Sequence, residues 1–286
     1  MKPSNDRHRP RKRFGQHFLV NGRVADKIVA SANLGDTGTV LEIGPGRGVL
    51  TERLFGASRE VYAVEIDRDL AAPLRERFGG ESGFHLVSGD ILKLDLGAMF
   101  AKECSRITVV SNLPYNISSP VIELLARYRN VIGKAVLMVQ KEVAARLLAR
   151  PGSKDYGLLT LNFSLCAEGA KIMDVRPGSF NPPPSVMSTV ISVEFVEGLR
   201  YPLRDMGVFR AMTGSVFRQR RKMIRNTLAP FAASLGIGAD VMPDLLEAAG
   251  ISPEARPESI AVERFVELSN RFSAVSMLSP DAEEPQ

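Results

Sequence analysis

Glu42-Ile43-Gly44-Pro45-Gly46-Arg47-Gly48-Val49-Leu50-Thr51 closes a short apolar run, Thr39 to Ile43, with a glycine-rich turn that leads into a helical pattern. Without side chains at Gly44 and Gly46 the backbone can come close to a ligand, and the start of the following helix offers unpaired N–H groups. The spacing is GxGxG, not GxGxxG, so a plain tight turn would use the same glycines. Outward from this stretch, a helix is predicted over Gly22 to Asn33. Apolar runs recur at Val61 to Glu65, Phe84 to Ser88, Ile107 to Ser111 and Lys134 to Gln140, with helical stretches between them. Five strands alternating with helices predict a parallel α/β sheet. Lys171 to Val175 reads as a sixth strand and the β-branched alternation of Ser188 to Val196 as a seventh. Only a short gap separates these two, which suits an antiparallel return, and Pro177, Pro182, Pro183 and Pro184 make that gap irregular.

A length of 286 residues at roughly 150 per domain implies about two domains, and 44% hydrophobic residues supplies a core and excludes a disordered chain. The longest apolar run is Ala135 to Val139, far below the roughly 20 residues of a membrane-spanning helix. The start, MKPSNDRHRPRKR, is basic without an apolar segment after it, so no cleaved secretory signal is expected. Cys104 and Cys166 show no metal or redox spacing and fit reduced thiols in a cytoplasmic protein, with neither disulfide nor metal implied.

The net charge of +5 is carried by residues 1–13, with six bases and one acid. A second basic run, Arg218, Arg220, Arg221, Lys222 and Arg225, contains no acid. Two such patches suit a polyanionic partner, although a solvated tail and a solvated helix face would have the same composition. Beyond Pro202 the strand pattern gives way to helical periodicity. Taken as one helix at about 100° per residue, Arg218, Arg221, Lys222 and Arg225 share roughly 120° of arc opposite Phe209, Met212, Val216 and Met223, with Arg220 the exception. The expected division is a basic disordered arm at 1–13, a sheet domain at 14–202, a helical domain at 203–277 and a disordered tail at 278–286.

Glu65 ends the second strand 17 residues after Gly48, where a carboxylate can accept hydrogen bonds from both hydroxyls of a ribose. Asp90, after the third strand, can accept from an adenine amino group or cap a turn. These features suit a nicotinamide dinucleotide as well as any other nucleoside cofactor. What chooses between them is Ser111-Asn112-Leu113-Pro114-Tyr115-Asn116-Ile117-Ser118 at the end of the fourth strand. It resembles the N/D/S-x-P-Y/F signature of methyltransferases acting on exocyclic amino groups of bases. The lone pair of adenine N6 is delocalised into the ring, so acceptors must hold its hydrogens before it can attack. The Asn112 side-chain carbonyl and the main-chain carbonyl of Leu113 or Pro114 can do so. Tyr115 would stack on the base, worth roughly 1–3 kcal/mol. A plain Asn-Pro-Tyr turn with a buried tyrosine is the alternative.

Taken together, the chain resembles the KsgA-type small-subunit rRNA adenine dimethyltransferases from residue 11 to about 275. The likeness rests on Arg11 to Leu19, Glu42 to Thr51, Glu65-Ile66-Asp67, Asn112 to Ser118, Phe180 to Val186 and Phe217 to Asn226. It implies a Rossmann-like class I methyltransferase fold with a mostly parallel seven-stranded sheet, and an RNA-binding C-terminal helical domain. The implied cofactor is S-adenosylmethionine, with S-adenosylhomocysteine as product and no metal. Gln16, His17 and Leu19 would lie at its methionine end, Gly44 in the glycine loop, Glu65 at the ribose and Asp90 at the adenine, with Gly46, Ile66, Ile91 and Asn112 also binding the cofactor. Asn112, Leu113, Pro114 and Tyr115 would handle the target base, Phe180 would be a second stacking aromatic, and Arg218, Arg221, Lys222 and Arg225 would hold RNA. Position 17 is often Asn in that family and is His here.

The resemblance further implies two methylations of N6 on each of two adjacent adenosines in the 3′-terminal hairpin loop of 16S rRNA. The partner would be an assembling small ribosomal subunit, and the enzyme a cytoplasmic monomer. Three other readings use some of the same residues. Antibiotic-resistance methyltransferases modify a large-subunit adenine with the same motifs, and an assembly factor could bind RNA as its main duty. A nicotinamide-dependent oxidoreductase would use the glycine loop and Glu65, but His8, His17 and His85 supply no recognisable proton donor.

Overall fold

The computed structural model describes residues 16–35, 38–219 and 222–278, so the basic arm at 1–13, Phe14, Gly15, Arg220, Arg221 and nearly all of the tail lie outside the described residues. The described residues divide into two compact units. The first holds residues up to Ala145 together with Ala167–Gly198, and the second Arg146–Cys166 together with residues from Leu199 onward.

In the first unit the sheet strands are β1 (Thr39–Ile43), β2 (Glu60–Glu65), β3 (Phe84–Ser88), β4 (Ile107–Asn112), β5 (Ile132–Gln140), β6 (Ala167–Val175) and β7 (Ser188–Phe195). They lie side by side in the order β3-β2-β1-β4-β5-β7-β6. Neighbours from β3 to β5 pair in parallel, while β7 is antiparallel to both β5 and β6. Every residue of β1 is buried, as a central strand covered on both faces requires. The helix Gly22–Ala32 is capped by the Asn21 side chain, which accepts from the Val24 N–H, and it ends at Asn33 in a left-handed conformation, φ 50°. Ala25, Ile28 and Val29 from that helix pack in one cluster with Val40, Val61, Val110, Val136 and Val190 of five strands.

A two-residue antiparallel ladder joins Phe18–Leu19 to Phe180–Asn181, pairing Phe18 with Asn181 and Leu19 with Phe180. Next to it the N–H groups of Val20 and Asn21 both donate to the Ser179 carbonyl, at 2.9 and 3.3 Å. The segment before the first helix is therefore stitched to the proline-rich connection between β6 and β7.

Two sequence expectations need correction. The domain boundary at 202/203 assigned Arg146–Cys166 to the sheet domain, yet this excursion belongs to the helical unit. Its Tyr156, Leu161 and Leu165 share a core with Phe209, Met212, Phe265 and Phe272, and the Tyr156 hydroxyl donates to the Ile260 carbonyl at 2.8 Å. Which core a short apolar helix joins is set by contacts with residues far away in sequence, such as Tyr156 with Ile260, not by its own periodicity. The second correction concerns the basic helix. It is two helices, Met206–Phe217 and Ile224–Ser234, with Arg218 and Lys222 in the break. The N–H groups opening the later helix go to the Ala255 and Pro253 carbonyls, at 2.8 and 3.4 Å, so a distant loop fixes where it starts. Phe209, Met212 and Val216 are fully buried as expected, but Met223 is 39% exposed. At the other end, the helix Val262–Leu278 runs one residue into the expected tail.

Burial pushes the Tyr156 phenol well above its ordinary range, in line with a hydroxyl held as a donor in the second unit's core. Tyr156→Phe is expected to lower unfolding free energy by about 1–3 kcal/mol, because the Ile260 carbonyl loses its buried partner. Urea unfolding followed by circular dichroism measures this, and an unchanged midpoint would refute it.

Candidate active site

Because β1 to β4 are parallel, Ile43, Glu65, Ser88 and Asn112 all end at one edge of the sheet. The chain leaves β1 for β2 on one side and reaches β4 on the other, so a crevice opens there. The cavity in it is lined by Gly44, Gly46, Glu65, Ile66, Asp90, Ile91, Asn112, Leu113, Pro114 and Tyr115, with Gln16 and His17 contributed by the segment before the first helix. Twelve residues expected from the sequence are thus brought together.

The glycine loop takes left-handed turns at Gly44, φ 68°, and Gly46, φ 58°. A Cβ on Gly46 would meet the Phe18 ring at 3.1 Å, so the loop has room for no side chain there. The Gly46 N–H is not left for a ligand. It donates to Glu65 Oε2 at 3.1 Å, while the Asp67 N–H donates to Oε1 at 2.9 Å. Glu65 is 4% exposed, and burial raises its carboxyl from the ordinary 4.5, against which these two N–H groups act. Each oxygen keeps a lone pair for a hydroxyl donor.

Asp67 caps the helix Arg68–Phe78 through the Asp69 N–H and accepts from Gln16 Nε2 at 3.0 Å, which anchors Gln16 beside the cavity. Asp90 uses Oδ1 to cap the turn Ile91–Lys93, accepting from the Leu92 N–H at 3.0 Å. Its second oxygen can accept from a ligand, so the capping and binding readings are compatible. Ile66 is 48% and Leu92 37% exposed on the cavity wall, apolar surface that a ring laid against it would remove from water.

At the end of β4, Asn112 Nδ2 donates to the His17 carbonyl at 3.0 Å, which turns the amide so that Oδ1 is the free acceptor. The Pro114 carbonyl already accepts from the Ile117 N–H at 3.1 Å and the Ser118 hydroxyl at 3.2 Å. Of the two carbonyls the sequence left open, Leu113 supplies the available one, and its side chain is buried. The Tyr115 hydroxyl shares a 2.6 Å hydrogen bond with Ser188 Oγ, and burial raises the phenol pKa.

Two expected residues are placed elsewhere. Phe180 is 3% exposed and packs in the sheet core with Leu19, Ile28 and Val29, so it presents no face to a base. Leu19, its ladder partner, is 4% exposed and borders a small niche behind the glycine loop. Strand alternation explains both: Phe18 and Leu19 point to opposite sides, and it is Phe18 that reaches the cavity. Sequence reading missed Phe18, Leu92 and Ser188. The first two adjoin expected residues, while Ser188 gave no signal beyond opening a strand. In the second unit Arg218, Lys222 and Arg225 are exposed, and Arg225 pairs with Glu254 at 3.3 Å. Arg221 lies outside the described residues.

Among the described residues, no group of three or more His, Cys, Asp or Glu is placed to hold a metal, and no helix is long and apolar enough to cross a membrane.

A parallel sheet whose antiparallel seventh strand lies between the fifth and sixth, with an Asn-Leu-Pro-Tyr turn at its carboxyl edge, is the framework of a class I methyltransferase. Residues 7–271 match the family model described as ribosomal RNA adenine dimethylase, and the chain belongs to that family. The Ribosomal RNA small subunit methyltransferase A of Synechococcus sp. (strain CC9311) is 40% identical over 280 residues, covering 95% of this chain and 98% of that one. A dimethyladenosine transferase from Plasmodium falciparum is similar in structure at a TM-score of 0.76 and 27% identity, covering 90% of this chain and 98% of that one. The 23S rRNA methyltransferase ErmE follows at 0.66 and 25%, covering 90% and 99%.

Behind the loop, Glu42 is 1% exposed and accepts from Thr51 Oγ1 at 2.6 Å. Burial pushes its carboxyl up to about 8, with the neighbouring Glu65 adding to the rise. Below its ordinary 4.5 both folded and unfolded chains hold this proton; between 4.5 and about 8 only the folded chain does. Stability from this group is complete below the lower value and lost as pH rises through the higher, with a slope of up to about 1.4 kcal/mol per pH unit. Glu42→Gln, which stays neutral, is expected to flatten the fall in unfolding free energy between pH 5 and 8, measured by denaturant titration. A slope equal to that of the unsubstituted protein would contradict the assignment.

Proposed function

We propose that this enzyme uses S-adenosylmethionine to dimethylate N6 of two adjacent adenosines in the 3′-terminal hairpin loop of 16S rRNA. It would act as a cytoplasmic monomer during small-subunit assembly. The observation that carries this reading is the paired acceptor at the end of β4. With Nδ2 tied to His17, Asn112 offers Oδ1, and the Leu113 carbonyl lies one residue on, so two oxygens can hold the two hydrogens of an exocyclic amine. An amine held this way has its lone pair drawn out of conjugation, and no strong general base is needed.

The cavity fits the cofactor chemically. Glu65 would hold the ribose hydroxyls, the free oxygen of Asp90 the adenine amine, Ile66, Ile91 and Leu92 the adenine faces, and Gln16 and the Gly44–Gly46 turn the amino-acid end. When bound, S-adenosylmethionine supplies an electrophilic methyl on sulfur. The protein's share is alignment, exclusion of water and polar groups fixed beforehand. Tyr115 would stack on a base that has left its RNA helix, at lower cost from a hairpin loop than from a paired stem. Arg218, Lys222 and Arg225 would contact phosphates.

The names of the sequence relatives favour the small-subunit substrate over the large-subunit one suggested by the ErmE likeness. Incubation with methyl-labelled cofactor and small-subunit particles from a strain lacking such an enzyme, followed by mapping of modified nucleotides, decides this. Label in two adjacent hairpin adenosines is expected.

Asn112→Ala is expected to lower single-turnover methyl transfer about 100-fold or more, in the range seen when a positioned polar group is removed, with little change in cofactor affinity. Equal transfer rates would end the assignment. Replacing Arg218, Lys222 and Arg225 together with Ser should flatten the salt dependence of RNA binding by about 0.7–0.9 per lost phosphate contact. A filter-binding series over salt measures it, and an unchanged slope would move the RNA footprint elsewhere.

A further inference from the structure

We propose that the His17 side chain is a positioning residue for Tyr115, and through it for the target base, and that it is not a ligand of the cofactor. The proposal rests on the methyltransferase reading above and assigns the ring of a residue whose family likeness pointed to the cofactor's methionine end.

Three contacts carry it. The His17 Nδ1–H donates to the Pro182 carbonyl at 2.9 Å; since that oxygen can only accept, the proton sits on Nδ1. The imidazole lies against the Tyr115 ring, with centroids 5.4 Å apart and planes 29° from parallel. The His17 carbonyl receives the Asn112 Nδ2 hydrogen bond that frees Oδ1. Main chain and side chain of this one residue therefore touch both groups argued to handle the amine. Its neighbours face other ways: Gln16 reaches Asp67 and Phe18 packs against the glycine loop.

Tyr115 is consequently held at two places, at the hydroxyl by fully buried Ser188 and on one ring face by His17. A ring held so offers a base only its remaining face, in one orientation. Fixing that orientation before binding removes a cost that would otherwise fall on the reaction. The Pro182 carbonyl acts as the stop that keeps the imidazole in place. Asparagine at position 17 could donate the same hydrogen bond but has no ring to lay on Tyr115, so the device is particular to the histidine.

The test compares His17→Ala, His17→Asn and His17→Phe. Tyr115 is observed by NMR in protein carrying 13C in its tyrosine rings, assigned with Tyr115→Phe, and S-adenosylhomocysteine affinity is measured by calorimetry. Both readouts need no RNA and so stand apart from whether the proposed substrate is right; that is judged separately, by whether the unsubstituted enzyme labels hairpin adenosines. Expected are shifted Tyr115 ring resonances in the Ala and Asn variants and an affinity within twofold of the parent. Methyl transfer at saturating cofactor should fall about five- to tenfold, the effect of losing one aromatic contact. Phe, which keeps a ring, should retain more transfer than Asn, which keeps only the donor, and this comparison decides the matter even if the Ala variant does not fold. Tyr115 resonances unmoved in all variants, Asn outperforming Phe, or affinity falling by the same factor as the rate would each overturn the proposal.

Discussion

A crevice must exist between the ends of β1 and β4. Four parallel strands finish at the same edge, and the chain turns away from β1 in one direction and arrives at β4 from the other, so no helix can cover the gap. Apart from Leu19 and Phe180, the candidate site groups of the first unit are hung around that gap. The glycine loop leaves from β1, Glu65 and Asp90 stand at the ends of β2 and β3, and the Asn112 turn follows β4. The constraint is one of chain path, and it explains why residues from four separate stretches meet without any one stretch encoding the meeting.

Holding the crevice in shape falls to a strap, residues 16–21. It is tied at one end to Asp67 through Gln16 and at the other to Ser179 through two N–H groups. Joining segments some 160 residues apart costs chain entropy, though this grows only slowly with separation. Burial of Phe18, Leu19 and Phe180 offsets it, each less than a tenth exposed. In this view Phe180 serves the strap from below, while His17 and Phe18 serve the cavity from above.

Two buried carboxyls, Glu42 and Glu65, flank the glycine loop; burial raises both, and the charge of Glu65 adds to the rise at Glu42. Glu65 receives two backbone N–H groups, which favour its anion. Glu42 receives the hydroxyl and the backbone N–H of Thr51, which do not outweigh its burial, and it retains its proton near neutrality. Backbone N–H groups thus work against burial at Glu65 on the cavity wall, and the Thr51 contacts do so at Glu42 behind it.

Features that depend on local periodicity and residue chemistry were legible along the chain. Short apolar runs, β-branched alternation in the last of them and a short gap before it predicted seven strands and the antiparallel return of the last, because side-chain pattern and gap length act over a few residues. Glycines at Gly44 and Gly46, acids at Glu65 and Asp90 and the Asn112 to Tyr115 turn were readable because their chemistry is unusual for strand ends. Tertiary structure alone decided where side chains with more than one reasonable home would go. Phe180 went into the core, the Leu113 carbonyl was left available when that of Pro114 was taken, and the His17 ring turned to Tyr115. The excursion at Arg146–Cys166 joined the helical unit, and the basic stretch broke where carbonyls of a distant loop met its N–H groups. In each case the deciding partner lies tens of residues or more away in the chain, beyond the reach of any local pattern.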